Sequence, residues 1–309
     1  MSKKILPLLR SMRLRTLPLS LAGVILGLGL AARYHTSPTG VIVTTLLTAT
    51  LLQILSNLSN ELGDYLSGTD TDGRTGPAYS LQSGTLAPTD LRTAIVVTAI
   101  LCCLSGTAMI WLSFGTLLCT EAVALLLLGA AAVWAAIRYT LGRNPYGYRG
   151  LGDIFVFLFF GLASVGGAYF VAAHTFDLWM LPAAIAIGLF SIGVLNTNNI
   201  RDMETDAGTR VTIPLKIGLR NARIYQTALI GGGWISLVVF LLSEPLWQPD
   251  WLCVLTLPLY IAHLRGVWVY TGRQLDKMLP LLVMTTFLLS CILSLTYIYY
   301  NIVCPTTRP

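Results

Sequence analysis

Residues 181–208 read LPAAIAIGLFSIGVLNTNNIRDMETDAG. The apolar run that ends here, over 179–199, holds no charged side chain, and then Asn198, Asp202 and Asp206 follow one another at i, i+4 and i+8. About twenty apolar residues is the length an α-helix needs to cross a bilayer. Residues four apart share a helix face, so the amide and the two carboxylates form one stripe at the end of a span.

Working outward, the rest of the chain repeats the first half of this pattern. Of 309 residues, 55% are hydrophobic and 11% charged, with a mean hydropathy of +0.71. An ordinary soluble domain carries roughly 25% charged residues. The composition therefore excludes a cytosolic enzyme, a disordered chain and a secreted disulfide scaffold. Nine apolar runs are long enough to span, at about 16–33, 40–59, 93–113, 116–137, 154–173, 179–199, 224–243, 251–271 and 279–301. The expected fold is all-α, a polytopic membrane protein of nine transmembrane helices. No Pro/Ser linker or low-complexity stretch divides residues 1–309, so a single domain is expected. The basic start before the first span resembles a signal peptide, but eight further spans and the lack of an exported domain argue against cleavage.

Charge sets the expected orientation. With the N-terminus in the cytoplasm and the spans alternating, eighteen of the twenty Lys and Arg fall on the cytoplasmic side, leaving only Arg33 and Arg308 opposite. Such a split follows the positive-inside rule. The long polar connections, 60–92, 138–153 and 201–223, all lie on that side. No basic run with interleaved aromatics suggests nucleic acid, and the six cysteines form no CxxC pair. His35, His174 and His263 belong to no catalytic pattern, and no HExxH, Walker or GxGxxG motif is present.

The second span ends as the sixth does. It runs into Asn57-Leu-Ser-Asn60-Glu61-Leu-Gly-Asp64, then Gly68-Thr-Asp70-Thr-Asp72-Gly-Arg74. Asn57, Asn60, Glu61 and Asp64 share one helical face; Gly68 breaks the helix and Asp70 comes from the loop beyond. The Asn60–Asp64 offset matches Asn198–Asp202, a weak internal repeat. Carboxylates at membrane depth cost roughly 2.5–3.5 kcal/mol each, so they line polar cavities and have partners. Glu61, Asp64, Asp70, Asp202 and Asp206, gathered together, call for a hard divalent cation with oxygen ligands. Mg²⁺ takes one or two carboxylates and binds substrate phosphates through the rest of its shell. Asn60 and Asn198 assist in that ligand set, Asp64 and Asp202 sit at its centre as catalytic candidates, and Arg74, Arg210 and Lys216 are placed to hold phosphate oxygens. Asp72 and Glu204 read as solvated loop charges.

A third loop, from Arg138 and Tyr139 through Tyr146 and Tyr148 to Asp153, is rich in Gly, Tyr and Arg. Its tyrosines suit either interfacial anchoring or the face of a cation. Asp153 reads as a helix N-cap or as a third metal-side carboxylate.

At these residues the chain resembles, over nearly its whole length, the UbiA superfamily of intramembrane aromatic prenyltransferases. The resemblance is carried by LPL at 17–19, NLSNELGDYLSGTDTDGRTGP at 57–77, NPYGYRGLGD at 144–153 and NNIRDMETDAG at 198–208. The gap between Asp64 and Asp70 and the PYGYRGLGD loop resemble the branch that prenylates 1,4-dihydroxy-2-naphthoate. The resemblance implies nine helices around a cytoplasm-facing cavity in the inner (plasma) membrane and two Asp-rich motifs that bind a polyprenyl diphosphate through two Mg²⁺. It implies transfer of the polyprenyl group to the aromatic acceptor with loss of CO₂ and diphosphate, giving demethylmenaquinone. Asn57, Arg138, Tyr139, Tyr146 and Tyr148 then fall to substrate binding. Two departures stand out. Glu61 occupies a position usually held by Asp, and the usual GK-x-T appears as GTRVT at 208–212, which leaves both Arg210 and Lys216 open as the phosphate contact. A 4-hydroxybenzoate prenyltransferase, a divalent-cation transporter and a CDP-alcohol phosphotransferase are the competing readings. The acids of the last lie in one segment, whereas here they are split over two.

Overall fold

A computed structural model of the chain describes residues 2–33, 37–68, 80–243 and 248–303. Among them are nine helical spans long and apolar enough to cross a membrane, Lys4–Ala32, Thr39–Leu66, Pro88–Phe114, Thr120–Arg138, Gly152–Ala173, Leu178–Arg201, Ile213–Ser243, Asp250–Val269 and Gly272–Val303. Each contains or closely overlaps one of the nine runs read from hydropathy. The principal helices within them are labelled α1 (Ser2–Ser11), α2 (Leu17–Ala32), α3 (Thr39–Leu66), α4 (Pro88–Phe114), α5 (Thr120–Arg138), α6 (Gly152–Ala173), α7 (Leu181–Arg201), α8 (Ile213–Ser243), α9 (Leu257–Val269) and α10 (Met278–Val303). No strand occurs among the described residues, only an isolated bridge between Arg149 and Val211.

The ends differ from the sequence reading in one consistent way. α3 continues to Leu66, beyond its apolar run, and helix before the seventh run starts back at Ile213, although α8 is kinked at Gly218, whose φ of 79° and ψ of 161° are non-helical. Hydropathy falls where polar side chains begin, but the backbone ladder continues so long as those side chains have a polar cavity to face. The α3 stripe is thereby carried on rigid helix; the second is not one continuous stripe, because α7 ends at Arg201, Asp202 leaves helical geometry at φ −95° and ψ 9°, and Asp206 closes a separate single turn, Met203–Asp206. α3 stops where expected, with Gly68 in the left-handed region at φ 69°.

The first span is broken. α1 ends at Ser11, Arg13 adopts φ 49° and ψ 52°, and a short 3₁₀ turn over Leu14–Thr16 leads into α2. α1 leaves Ile5, Leu6 and Leu9 exposed while Lys4 pairs with Asp90 at 2.8 Å, the pattern of a helix lying at an interface.

Two apolar cores hold the bundle, with a small third cluster of Ile200, Ala222, Val267 and Leu275. The larger draws on α2, α6, α7, α8, α9 and α10, with Tyr169, Phe190, Phe240 and Tyr297 almost wholly buried. The smaller joins α3 and α4 to the turn after residue 80 through Leu55, Leu58, Leu62, Leu81 and Leu91. Lipid is as apolar as these side chains, so close packing rather than water exclusion drives the helices together. The α6–α7 crossing shows how close: a Cβ on Gly161 would lie 2.7 Å from the Cα of Gly188. At this crossing α6 passes through a π-helical segment, Phe157–Ala163, a distortion common at functional sites. Between the two cores lies a cavity of about 500 Å³, walled by α2, α3, α5, α6, α7 and the start of α10.

Candidate active site

The stripe on α3 faces the cavity. Asn57, Asn60 and Asp64 line it. Asn57 donates through Nδ2 to the Met12 carbonyl and to Thr16 Oγ1, both at 2.9 Å. Asn60 Oδ1 accepts from Thr140 Oγ1 at 3.3 Å. That contact depends on Gly63, because a Cβ there would stand 2.5 Å from the Thr140 Cβ. Glu61 is turned off the cavity. It is fully buried, and its Oε1 accepts the Leu81 backbone N–H at 3.1 Å. Positions 57, 60, 61 and 64 all fall on one broad helical face, so it is the Leu81 contact rather than periodicity that holds Glu61 away from the cavity. Asp70 and Arg74 lie outside the described residues.

The second group of acids, which begins at the end of α7 and continues past it, is built differently. Asn198 lines the cavity, while Asp202 and Asp206 are buried just behind it, 3% and 5% exposed. The group covering Asp202 is Arg201. Its Nε and Nη2 donate to the two Asp202 carboxylate oxygens at 2.7 and 2.6 Å, Nη2 also to Asn198 Oδ1 at 2.9 Å, and Nη1 to Asp276 Oδ1 at 2.9 Å. A fork of this geometry is the strongest form of guanidinium–carboxylate pairing.

A loop-to-loop clamp brings the two acidic groups together. The Val211 N–H donates to the Tyr148 carbonyl at 3.0 Å, which ties the 138–149 loop to the segment after Asp206. Tyr148 then donates its hydroxyl to Asp64 Oδ1 at 2.7 Å. Arg210 reaches Asp64 Oδ1 with Nη2 at 3.3 Å and Asp206 Oδ1 with Nε at 3.1 Å, and its guanidinium lies 5.3 Å from the centre of the Tyr148 ring. Burial alone would lower the pKa of this arginine, but Asp64 and Asp206 outweigh it and hold the pKa above its ordinary value.

Of the other loop residues, Tyr139 and Tyr146 line the cavity. Burial pushes the Tyr139 phenol up to about 12, so it stays a neutral donor. Tyr146 donates to the Ala135 carbonyl at 2.8 Å and stacks on Phe155 with ring centres 3.8 Å apart. The tyrosines are therefore parts of the cavity wall rather than surface anchors. Arg138 instead donates to the Arg143 carbonyl, and Lys216 is exposed; neither lines the cavity. Asp153 is neither cap nor cavity carboxylate: its Oδ2 accepts from Tyr225 at 2.7 Å. His263 is a buried interior residue, with Nδ1 at the Met278 carbonyl and Nε2 facing Gln226 Nε2, each at 3.0 Å.

Sequence reasoning overlooked Asp276, Thr140, Gln53 and the pairing role of Arg201. Arg201 had a signal, since it stands three residues after Asn198. Asp276 had none; it is a lone acid just before α10, 42% exposed, which only the packing of α10 on α7 brings to the cavity.

The donor set suits a hard cation. Asn60, Asp64, Asn198, Asp202 and Asp206 offer only oxygens and amides, and one positive group, Arg210, already spans the two acidic groups across 146 positions of sequence. Among the described residues no three His, Cys, Asp or Glu side chains form a closed cage. Mg²⁺ does not need one, because it keeps waters and completes its shell with substrate phosphate. These residues fit that ion with a diphosphate and would not suit a structural zinc site.

Comparison with known proteins matches residues 20–292 to the UbiA prenyltransferase family. The chain is 40% identical over 272 residues to the 1,4-dihydroxy-2-naphthoate octaprenyltransferase of Escherichia coli, covering 87% of this chain and 85% of that enzyme. It is 33% identical to the 1,4-dihydroxy-2-naphthoate octaprenyltransferase of Mycobacterium tuberculosis, over 87% of this chain and 88% of that one. Among solved structures, a UbiA homolog from Archaeoglobus fulgidus bound to DMAPP and Mg²⁺ superposes with a TM-score of 0.66 at 17% identity, covering 94% of this chain and 99% of that one. The apo structure of a UbiA homolog from Aeropyrum pernix gives a TM-score of 0.65, also at 17% identity, over 94% and 98% of the two chains. Those two likenesses are of fold.

Proposed function

The chain belongs to the UbiA prenyltransferase family, and we propose that it transfers a polyprenyl group from a polyprenyl diphosphate to 1,4-dihydroxy-2-naphthoate. CO₂ and diphosphate are lost and the product is demethylmenaquinol, the hydroquinone that becomes demethylmenaquinone only on a separate two-electron oxidation. The observation that carries this reading is the meeting of Asp64 and Asp206 on one guanidinium at a cavity with an apolar interior. A diphosphate head belongs at that meeting point. Its hydrocarbon tail belongs against Leu19, Val24, Leu125, Leu128 and Phe159 of the same cavity.

Asn60, Asp64, Asn198, Asp202 and Asp206 would hold Mg²⁺, two ions in our reading, with Asp64 and Asp202 as the central catalytic carboxylates. When bound, Mg²⁺ neutralises the charge that grows on the leaving diphosphate. The chain's own groups do the rest. Arg210 holds the diphosphate oxygens nearest the bridging point, and Lys216 is left outside the cavity. Tyr148 and Arg201 orient the Asp64 and Asp202 carboxylates through the bonds already described. Tyr139 stays protonated and presents a ring to the allylic cation that forms as the C–O bond breaks. The apolar walls keep water from that cation until the electron-rich arene attacks it. The positive-inside split of Lys and Arg supports placing this end of the bundle in the cytoplasm, with the N-terminus beside it.

Product mass spectrometry tests the reading. Purified protein in vesicles receives Mg²⁺, octaprenyl diphosphate and either 1,4-dihydroxy-2-naphthoate or 4-hydroxybenzoate. The expected product is the prenylated naphthohydroquinone after CO₂ loss, or its quinone once air has oxidised it; a prenylated hydroxybenzoate alone would overturn the acceptor. Asp64→Asn and Asp202→Asn should each abolish diphosphate release while the protein remains folded in detergent, and full activity in either would reject the metal assignment.

A further inference from the structure

A second concentration of charge lies away from the acidic cavity, where the start of α8 meets the end of α9. α8 is broken at Gly218, and on the helix that resumes, Arg220, Arg223 and Thr227 stand at i, i+3 and i+7, on one face. α9 packs on that face in the opposite direction. Arg223 Nη2 donates to the Tyr270 carbonyl at 3.0 Å, and Trp268 Nε1 donates to Thr227 Oγ1 at 3.1 Å. Arg265 stands three residues before Trp268, on the same side of α9. The two helices therefore bound a groove with three arginines about its mouth and Ile224, Ile261 and Trp268 exposed along it. None of these residues lines the acidic cavity.

Among the described residues no carboxylate pairs with Arg220, Arg223 or Arg265. Arg220 and Arg265 are exposed, and the Arg223 Nε is shielded from solvent with no hydrogen-bond acceptor among those residues. Asp276, the next acid after α9, is taken by Arg201. Like charges three apart on a helix repel, and the first turns after a helix break add the positive end of the helix dipole. Arg265 lies inside a span, about 6 Å from its end, so its guanidinium is tolerated only by reaching up to the headgroup layer. We propose that the groove binds an anionic phospholipid of the adjoining leaflet, its phosphate received by Arg223 between Arg220 and Arg265 and its acyl chains lying along Ile224 and Ile261. A phosphodiester offers a guanidinium two oxygens at once, and basic pockets between spans are where anionic headgroups bind. A soluble anion would match the charge and leave the exposed apolar side chains uncovered. A lipid does both and ties α8 to α9.

Trp268 reports whether the groove is filled. The full-length protein is reconstituted in phosphatidylcholine bilayers with increasing fractions of brominated phosphatidylglycerol or brominated phosphatidylcholine, since bromine on an acyl chain quenches only indoles that it touches. The part of the quenching lost in Trp268→Phe is the signal from this groove. Phosphatidylglycerol should half-quench that part at a mole fraction about tenfold to a hundredfold below the one phosphatidylcholine needs. Arg220→Gln and Arg265→Gln break none of the hydrogen bonds described, and each should raise the phosphatidylglycerol fraction by about fivefold. Arg92→Gln, which removes an exposed arginine at the start of α4, should leave it within about twofold. Equal quenching by the two lipids, or a contrast that survives Arg220→Gln and Arg265→Gln combined, would overturn the proposal. So would an equal loss in Arg92→Gln, because the attraction would then belong to the charge of the whole surface. Displacement of the brominated phosphatidylglycerol by millimolar inorganic phosphate would also overturn it, by making the ligand a soluble anion.

Discussion

Replacing Tyr148 with Phe isolates one atom of the clamp. The wild-type hydroxyl donates to Asp64 Oδ1 at 2.7 Å and lies 3.0 Å from Ser67 Oγ. Phe keeps the ring, and with it the face 5.3 Å from the Arg210 guanidinium, and loses only the donor. A hydrogen bond to a charged acceptor contributes about 1.5–3 kcal/mol when it is lost from a buried site. Asp64 is 4% exposed, so water replaces the lost bond poorly. Its remaining partner includes Arg210 at 3.3 Å, longer than a strong ion pair and bearing on the same oxygen. Freed of Tyr148, the carboxylate should lose its fixed orientation. At 1.4 kcal/mol per tenfold, kcat/KM for the polyprenyl diphosphate should fall by about tenfold to a hundredfold. The fall should shrink as Mg²⁺ is raised if the hydroxyl acts by orienting a metal ligand. Folding should lose no more than the same, about 1.5–3 kcal/mol, because the ring packing is retained. The assay is steady-state release of diphosphate in vesicles across a Mg²⁺ series, with thermal unfolding in detergent alongside. A kcat/KM within twofold of wild type at limiting Mg²⁺ would refute the idea that this hydroxyl orients Asp64.

Three further outcomes are expected. Gly63→Ala forces a Cβ to within 2.5 Å of the Thr140 Cβ and should destabilise the protein by about 1–3 kcal/mol while separating Asn60 from Thr140, seen as a lower melting temperature together with reduced turnover. Asp276→Asn removes one charge from Arg201, which keeps its two-oxygen grip on Asp202, so activity should drop by about fivefold or less rather than vanish; complete loss would make Asp276 a direct ligand. Tyr139 has its phenol pushed up to about 12, so its proton is bound more tightly in the folded state than in the unfolded chain, where the value is near 10. The stabilisation this contributes is complete below about pH 10 and is lost as pH rises towards 12. An ultraviolet difference titration of wild type against Tyr139→Phe should therefore show no phenolate from this residue below about pH 11, and ionisation near pH 10 would contradict its burial.

Much of the molecule was legible in the chain alone. Hydropathy and length located nine spans, because a bilayer demands about twenty apolar residues per crossing whatever the helices pack against. The α3 stripe could be read as a stripe, because helical periodicity places i and i+4 on one face before any tertiary contact exists. The same periodicity could not choose between Asn60, Glu61 and Asp64. All three share a broad face, and only the seating of Thr140, just past α5, against Gly63 and of Leu81 against Glu61 turned one carboxylate to the cavity and the other away from it. Arg210 and Lys216 were equivalent as charges in one loop. The Val211–Tyr148 bond aims the first at Asp64 and leaves the second exposed. Asp276 is the extreme case, a lone acid that carries no pattern of its own. Local sequence dictates what lies on a helix and how deep that helix can sit, since both follow from backbone geometry and solvent. Which side chains of different helices meet depends on how close two backbones can come, and that is settled by contacts between residues far apart in the chain.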